Sequence, residues 1–167
     1  MSFKFGLFKG LSLVNLVISG FLGMCLVLVV VFTLQMGALI ILFLVGAATI
    51  HSWLSLSLYR SLANPQWPLK ENTPDGLRII GAIAALYAFI MLSGSLSLLS
   101  NPDVYLQEMQ KMNPDLKKEV PVLKQVLGGI GVFMLLYGAS LMVNYLLSLS
   151  FLQTWKYRRR QDDEQVF

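Results

Sequence analysis

The chain is expected to fold as an all-α integral membrane protein, an antiparallel up-down four-helix bundle with a short amphipathic helix in its outer loop. Three observations predict this. Of 167 residues, 56% are hydrophobic and 13% charged, with a mean hydropathy of +0.66. Soluble domains carry about 25% charged residues, so this chain has too little polar surface to cover a globule in water. No Asp, Glu, Lys or Arg falls between Lys9 and Arg60. At 1.5 Å per residue that run would make a helix of about 75 Å, more than twice a hydrocarbon core of about 30 Å. Two further uncharged runs, 79–102 and 125–155, are each long enough to cross on their own.

The first uncharged run must fold back. Gln35 is the one strongly polar side chain near its middle, and Met36 and Gly37 follow it. A turn there gives spans at 11–34 and 38–59. Ahead of the first span, Phe3, Phe5, Leu7 and Phe8 alternate with Lys4 and Lys9, which predicts a short interfacial segment. The span is too long for the apolar core of a signal peptide and no A-x-A site follows, so it reads as a retained helix. The inner loop, 61–77, contains Pro65, Pro68, Pro74 and the pair Asp75-Gly76, and predicts irregular backbone.

The third span, 79–102, leads into an outer loop at 103–124. Asn101-Pro102-Asp103 and Asn113-Pro114-Asp115 are two copies of one helix-start signal: Asn as N-cap, Pro at the first helical position, an acid in the first turn. After the first copy, Tyr105, Met109 and Met112 recur at helical spacing, which predicts the amphipathic helix. The second copy starts a short turn that runs through Pro121 into the fourth span. That span, 125–155, exceeds the core thickness and is expected to tilt or protrude. A basic tail, 156–167, completes a single transmembrane domain over 1–167.

An even number of spans puts both termini on one side. That side collects Lys4, Lys9, Arg60, Lys70, Arg78, Lys156, Arg158, Arg159 and Arg160, nine basic residues against Lys111, Lys117, Lys118 and Lys124 opposite. The imbalance predicts cytoplasmic termini. Trp53, Trp67, Trp155 and Tyr157 fall near the same interface, where amphipathic rings settle. Lys156, Arg158, Arg159 and Arg160 read as a basic inner anchor rather than an anionic-lipid site, since Asp162-Asp163-Glu164 follow directly. Short loops without an N-x-S/T sequon point to a bacterial inner membrane.

The residues that chemistry requires are scarce. A single cysteine, Cys25, cannot form an internal disulfide or a dithiol relay, and a single histidine, His51, cannot supply paired haem ligands. No H-E-x-x-H, P-loop or G-x-S-x-G occurs, and no span carries Asp, Glu, Lys or Arg. These features argue against an enzyme and against an ion-coupled transporter. Met109-x-x-Met112 is the spacing of a thioether pair for Cu(I), but no histidine or cysteine lies nearby and no metal is predicted. The net charge of +4 gathers on one membrane face and does not suggest nucleic acid.

What remains is polar residues inside the spans. They recur at helical spacing: Ser12, Asn15 and Ser19; His51, Ser52 and Ser55; Ser93, Ser97 and Ser100; Tyr137, Ser140, Asn144 and Ser148. Asn15, Ser19, His51, Ser55, Tyr87, Asn144 and Ser148 are expected to converge as one cluster in the inner-leaflet half. Such a cluster is either interhelical hydrogen bonding or a site for a quinone, lipid headgroup or proton. Ala47-x-x-x-His51 is also the pattern of a small residue making room for a haem or pigment on the ring nitrogen, although no cofactor is predicted. The function expected is that of a non-enzymatic accessory or assembly subunit of a larger membrane complex. Its partners would be the lipid bilayer, other membrane subunits or another copy packed through Gly128-Gly129-x-Gly131 or Ser93-x-x-x-Ser97. The alternatives are a small transporter or channel using the polar cluster, or a redox or pigment subunit with His51 as axial ligand.

Overall fold

The computed structural model describes residues 3–64, 66–113 and 120–164, with side chains as far as Gln161. Among them are five helices and no strand: α1 (Phe3–Thr33), α2 (Met36–Ala63), α3 (Thr73–Ser100), α4 (Pro102–Met112) and α5 (Val120–Glu164). Four of these, α1, α2, α3 and α5, are long and apolar enough to cross a bilayer. The chain is a multi-pass membrane protein. Lipid offers no partner for backbone polar groups, and a helix satisfies them within its own segment.

The helices overrun the hydrocarbon limits read from the charges. The first begins at Phe3, so the expected interfacial segment is its opening turns, and Phe8 is wholly buried. The reversal falls at Leu34-Gln35 rather than at 35–37. Leu34 takes a left-handed φ of 49°, its N–H still donates to the Val30 carbonyl at 2.9 Å, and Gly37 is already helical. The inner loop is irregular only over 64–72, because α2 continues to Ala63 and α3 starts at Thr73. Pro74 and Asp75 stand in the first turn of α3, where a missing N–H costs nothing and a negative charge is favourable. The supposed tail is helix as well: α5 runs without a break through 45 residues, Val120–Glu164. Asn101 precedes Pro102 at the start of α4 as expected, but its side chain makes no capping hydrogen bond. Asn113 closes α4, while Pro114, Asp115, Lys117 and Lys118 lie outside the described residues.

The chain packs as two compact units, Met1–Tyr87 with Ser140–Phe167, and Ala88–Ala139. In the first, the Phe5 ring lies tilted against Tyr59 at 4.5 Å between centroids, and a Cβ on Gly23 would meet Val45 at 3.7 Å, so α1 and α2 pass in opposite directions. Phe8 lies 4.9 Å from Phe151, and Ser12 bonds Asn144, so α1 and α5 also run in opposite directions. Phe8, Leu58, Leu62, Leu69, Leu77 and Leu152 form an apolar core at the end nearer the termini. In lipid such a core is held by close packing rather than by exclusion of water.

In the second unit, Leu98 of α3, Leu106 of α4 and Leu127 of α5 form the core. The α3 and α5 backbones approach at glycines: a Cβ on Gly138 would lie 3.2 Å from the Ala88 carbonyl oxygen, and one on Gly131 2.8 Å from Leu99. Gly131 is therefore engaged within the chain, whereas Gly128 and Gly129 face open space. The inward face of α4 is set by Leu106 and Met109, with Tyr105 37% and Met112 80% exposed, one residue away from the expected register. Tyr105 donates instead to Ser97 at 2.9 Å, and Ser93, Ser97 and Ser100 all face outward. Ser95 is the buried serine here, because it shares the inward line of Ala88 and Leu98.

Candidate functional site

The polar centre belongs to the first unit. On α1, Phe8, Ser12, Asn15 and Ser19 follow one another at helical spacing and are all buried. On α5, Ser140, Asn144 and Ser148 follow at intervals of four, with Asn144 and Ser148 buried and Ser140 half-buried. Where the two lines meet they form a reciprocal pair. The Ser12 hydroxyl donates to Oδ1 of Asn144 at 2.8 Å, and the Ser140 hydroxyl donates to Oδ1 of Asn15, also at 2.8 Å. Each helix thus gives one donor serine and one acceptor asparagine. The Nδ2 atoms of both asparagines are buried and have no hydrogen-bond partner among the described residues.

His51 of α2 is enclosed beside this pair. Its ring sits edge-on to Tyr145, the neighbour of Asn144, at 5.8 Å between centroids. The α3 backbone passes at Gly81, where a Cβ would come within 3.0 Å of His51 Nδ1 and Cε1 and 2.9 Å of Tyr145. Glycine is what allows that approach. Both ring nitrogens of His51, and the Ser55 hydroxyl one turn further along α2, are buried without hydrogen-bond partners among the described residues. An unsatisfied buried donor or acceptor costs about 1–3 kcal/mol, so the centre holds polar capacity that packing alone does not require.

The seven residues expected to converge are all buried, but they divide. Asn15 and Asn144 are joined through Ser12 and Ser140. Ser19 and Ser148 turn onto their own helices, donating to the carbonyls of Asn15 at 2.6 Å and Tyr145 at 2.7 Å. Tyr87 is buried on α3. Gly81 belongs to the line of small residues, with Ala85 and Ala88, that lets the third span approach a neighbour; Tyr145 had no signal in the sequence, since only the way the helices cross puts it against the histidine. Haem, pigment or quinone at His51 does not fit this arrangement. The ring has no exposed surface, and Gly81 and Tyr145 occupy the space beside it.

The basic anchor lies on the last turns of α5. Arg158, Arg159 and Arg160 are exposed and Lys156 half-buried. The Arg159 guanidinium stacks 5.5 Å from the Trp155 ring, and Trp155 Nε1 donates to the Ser61 hydroxyl at 3.2 Å. Between the end of α2, residues 68–71 and this part of α5 is a recess of about 580 Å³, into which Glu71, Arg158 and Arg159 face. Trp155 and Arg159 also border a smaller recess of about 300 Å³ with Asp75, Lys156 and Arg160.

Of the two thioethers, Met109 packs on the leucine core and Met112 projects outward. Among the described residues, no three His, Cys, Asp or Glu side chains are grouped to hold a metal. Cys25 is an exposed free thiol on α1. Comparison of the chain with protein-family models, curated proteins and solved structures finds no match.

Proposed function

We propose that the chain is a non-enzymatic accessory or assembly subunit that acts by lateral contact within a larger membrane complex. One observation carries this reading. The most apolar of the four spans, α1, is the least covered by its own chain, with 6% of its most apolar stretch buried against 28–33% in the others. Gly6, Gly10 and Gly20 lie on this helix with nothing within 4 Å of where a Cβ would stand, and Leu13, Val17 and Met24 continue the same exposed strip. In lipid there is no hydrophobic gain on helix association, so small residues that let backbones approach are what make a helix face adhesive. The inward face of α1 is occupied by Ser12 and Asn15; the glycine face is left for another helix. Termini in the cytoplasm and residence in a bacterial inner membrane are part of the proposal, on the charge asymmetry and the short loops.

The test is purification of the tagged full chain from its native membrane in mild detergent. A partner in fixed stoichiometry, lost in Gly20→Leu and kept in Gly128→Leu, supports the reading. A chain that purifies alone and supports solute flux in proteoliposomes overturns it.

A further inference from the structure

The larger recess beside Trp155 has features that an interfacial anchor does not need. We propose that it binds the phosphate of an anionic phospholipid, held by Arg158 and Arg159. The position is the first argument. The recess lies where the uncharged run of α5 gives way to its basic turn and where α2 ends, at the boundary between apolar and polar surroundings. Its walls change character accordingly, with Leu62 and Leu69 on one side and the two guanidinium groups on the other. Free phosphate has no use for the leucines; a lipid has a use for both.

The second argument is preorganisation. Trp155 is fixed by its bond to Ser61, and Arg159 is stacked on that indole, so one donor fork is positioned before anything binds. A guanidinium presents paired N–H groups that match two phosphate oxygens, and it gives up less freedom per bond than a lysine does. The third is charge. Among the side chains described, which end at Gln161, the ion pairs are Lys111–Glu108 and Lys124–Asp103, and neither involves Arg158 or Arg159. Glu71 shares the recess, so the described lining carries two positive charges and one negative. Two guanidinium groups side by side suit a phosphodiester better than a net-neutral headgroup.

The experiment is native mass spectrometry of the delipidated full chain, with phosphatidylglycerol, phosphatidylcholine, phosphatidylethanolamine and glycerol 1-phosphate as probes. Each basic residue near a membrane surface contributes about fivefold to anionic-lipid affinity, so phosphatidylglycerol should exceed phosphatidylcholine by at least that factor. Arg158→Gln with Arg159→Gln should abolish the preference, and Glu71→Gln should increase it. Lys4→Gln with Arg78→Gln removes the same charge elsewhere and should leave the preference intact; equal loss there would mean diffuse attraction and overturn the site. Phosphatidylethanolamine binding as well as phosphatidylglycerol would overturn the anionic class. Glycerol 1-phosphate binding as well would reassign the recess to soluble phosphate esters and overturn the lipid.

Discussion

Asn144 sits under two opposing influences. Its Oδ1 accepts from Ser12, and such interhelical bonds are worth about 0.6 kcal/mol in membrane proteins. Its Nδ2 is buried and unpartnered, a cost of about 1–3 kcal/mol. Leucine has the same branched skeleton with somewhat bulkier ends and no polar atoms, and Ser12 can turn to the Phe8 carbonyl as Ser19 turns to that of Asn15. Asn144→Leu should therefore be at least as stable as the parent in detergent, while Asn144→Ala, which leaves a cavity, should melt lower. If Asn144→Leu loses more than about 2 kcal/mol, the hydrogen bonding is worth more than the usual interhelical contact and the polar centre is structural. At this scale the sequence was informative about which residues are polar and inward on α1, α2 and α5. It was misleading on α3, where Ser95 rather than Ser93, Ser97 or Ser100 is buried. Serine repeats along that helix at intervals of two and four, so its pattern cannot choose a face. The face is chosen by Ala88 and Leu98, which must fit the glycines of α5.

The elements were legible in number and order because charge marks where a helix leaves hydrocarbon. Their ends were not, because an α-helix does not stop at that boundary: Pro74 merely opens α3, and Lys156 to Glu164 prolong α5. The turn between α1 and α2 shows the same limitation. Gly37 was the obvious place for unusual backbone, yet the left-handed residue is Leu34. A left-handed conformation costs an L-residue about 1–2 kcal/mol, and glycine avoids it at an entropic cost of about 0.5–1 kcal/mol in the unfolded chain. The Leu34 side chain is 82% exposed, so little packing within the chain is lost with it. Leu34→Gly should raise the melting temperature in detergent, with a gain of about 0.5–1 kcal/mol, whereas the β-branched Leu34→Val should lower it. Equal stability of all three would show that the turn relaxes without strain.

For the whole molecule the governing fact is the solvent. Phe21, Phe32, Phe43, Phe89 and Leu136 are among many large apolar side chains that the chain leaves uncovered, which water would not tolerate and lipid does. Lipid also makes orientation a matter of charge counting, and the proposed topology depends strongly on α5. Four of the nine basic residues assigned to the cytoplasmic side are Lys156, Arg158, Arg159 and Arg160. Neutralising those four to Gln leaves five against four, too small a bias to fix a single orientation, although the first span usually has the greater influence. With Cys25 replaced by Ser, a single cysteine at Gln161 should be shielded from an impermeant thiol reagent in intact cells, and one at Asn113 should be labelled. In the neutralised background, a fraction of molecules should show the reverse pattern. Labelling of both positions from the same side would contradict the proposed topology. A neutralised chain that keeps one orientation would instead show that α1, with Lys4 and Lys9 in its opening turns, determines topology before the arginines of α5 are made.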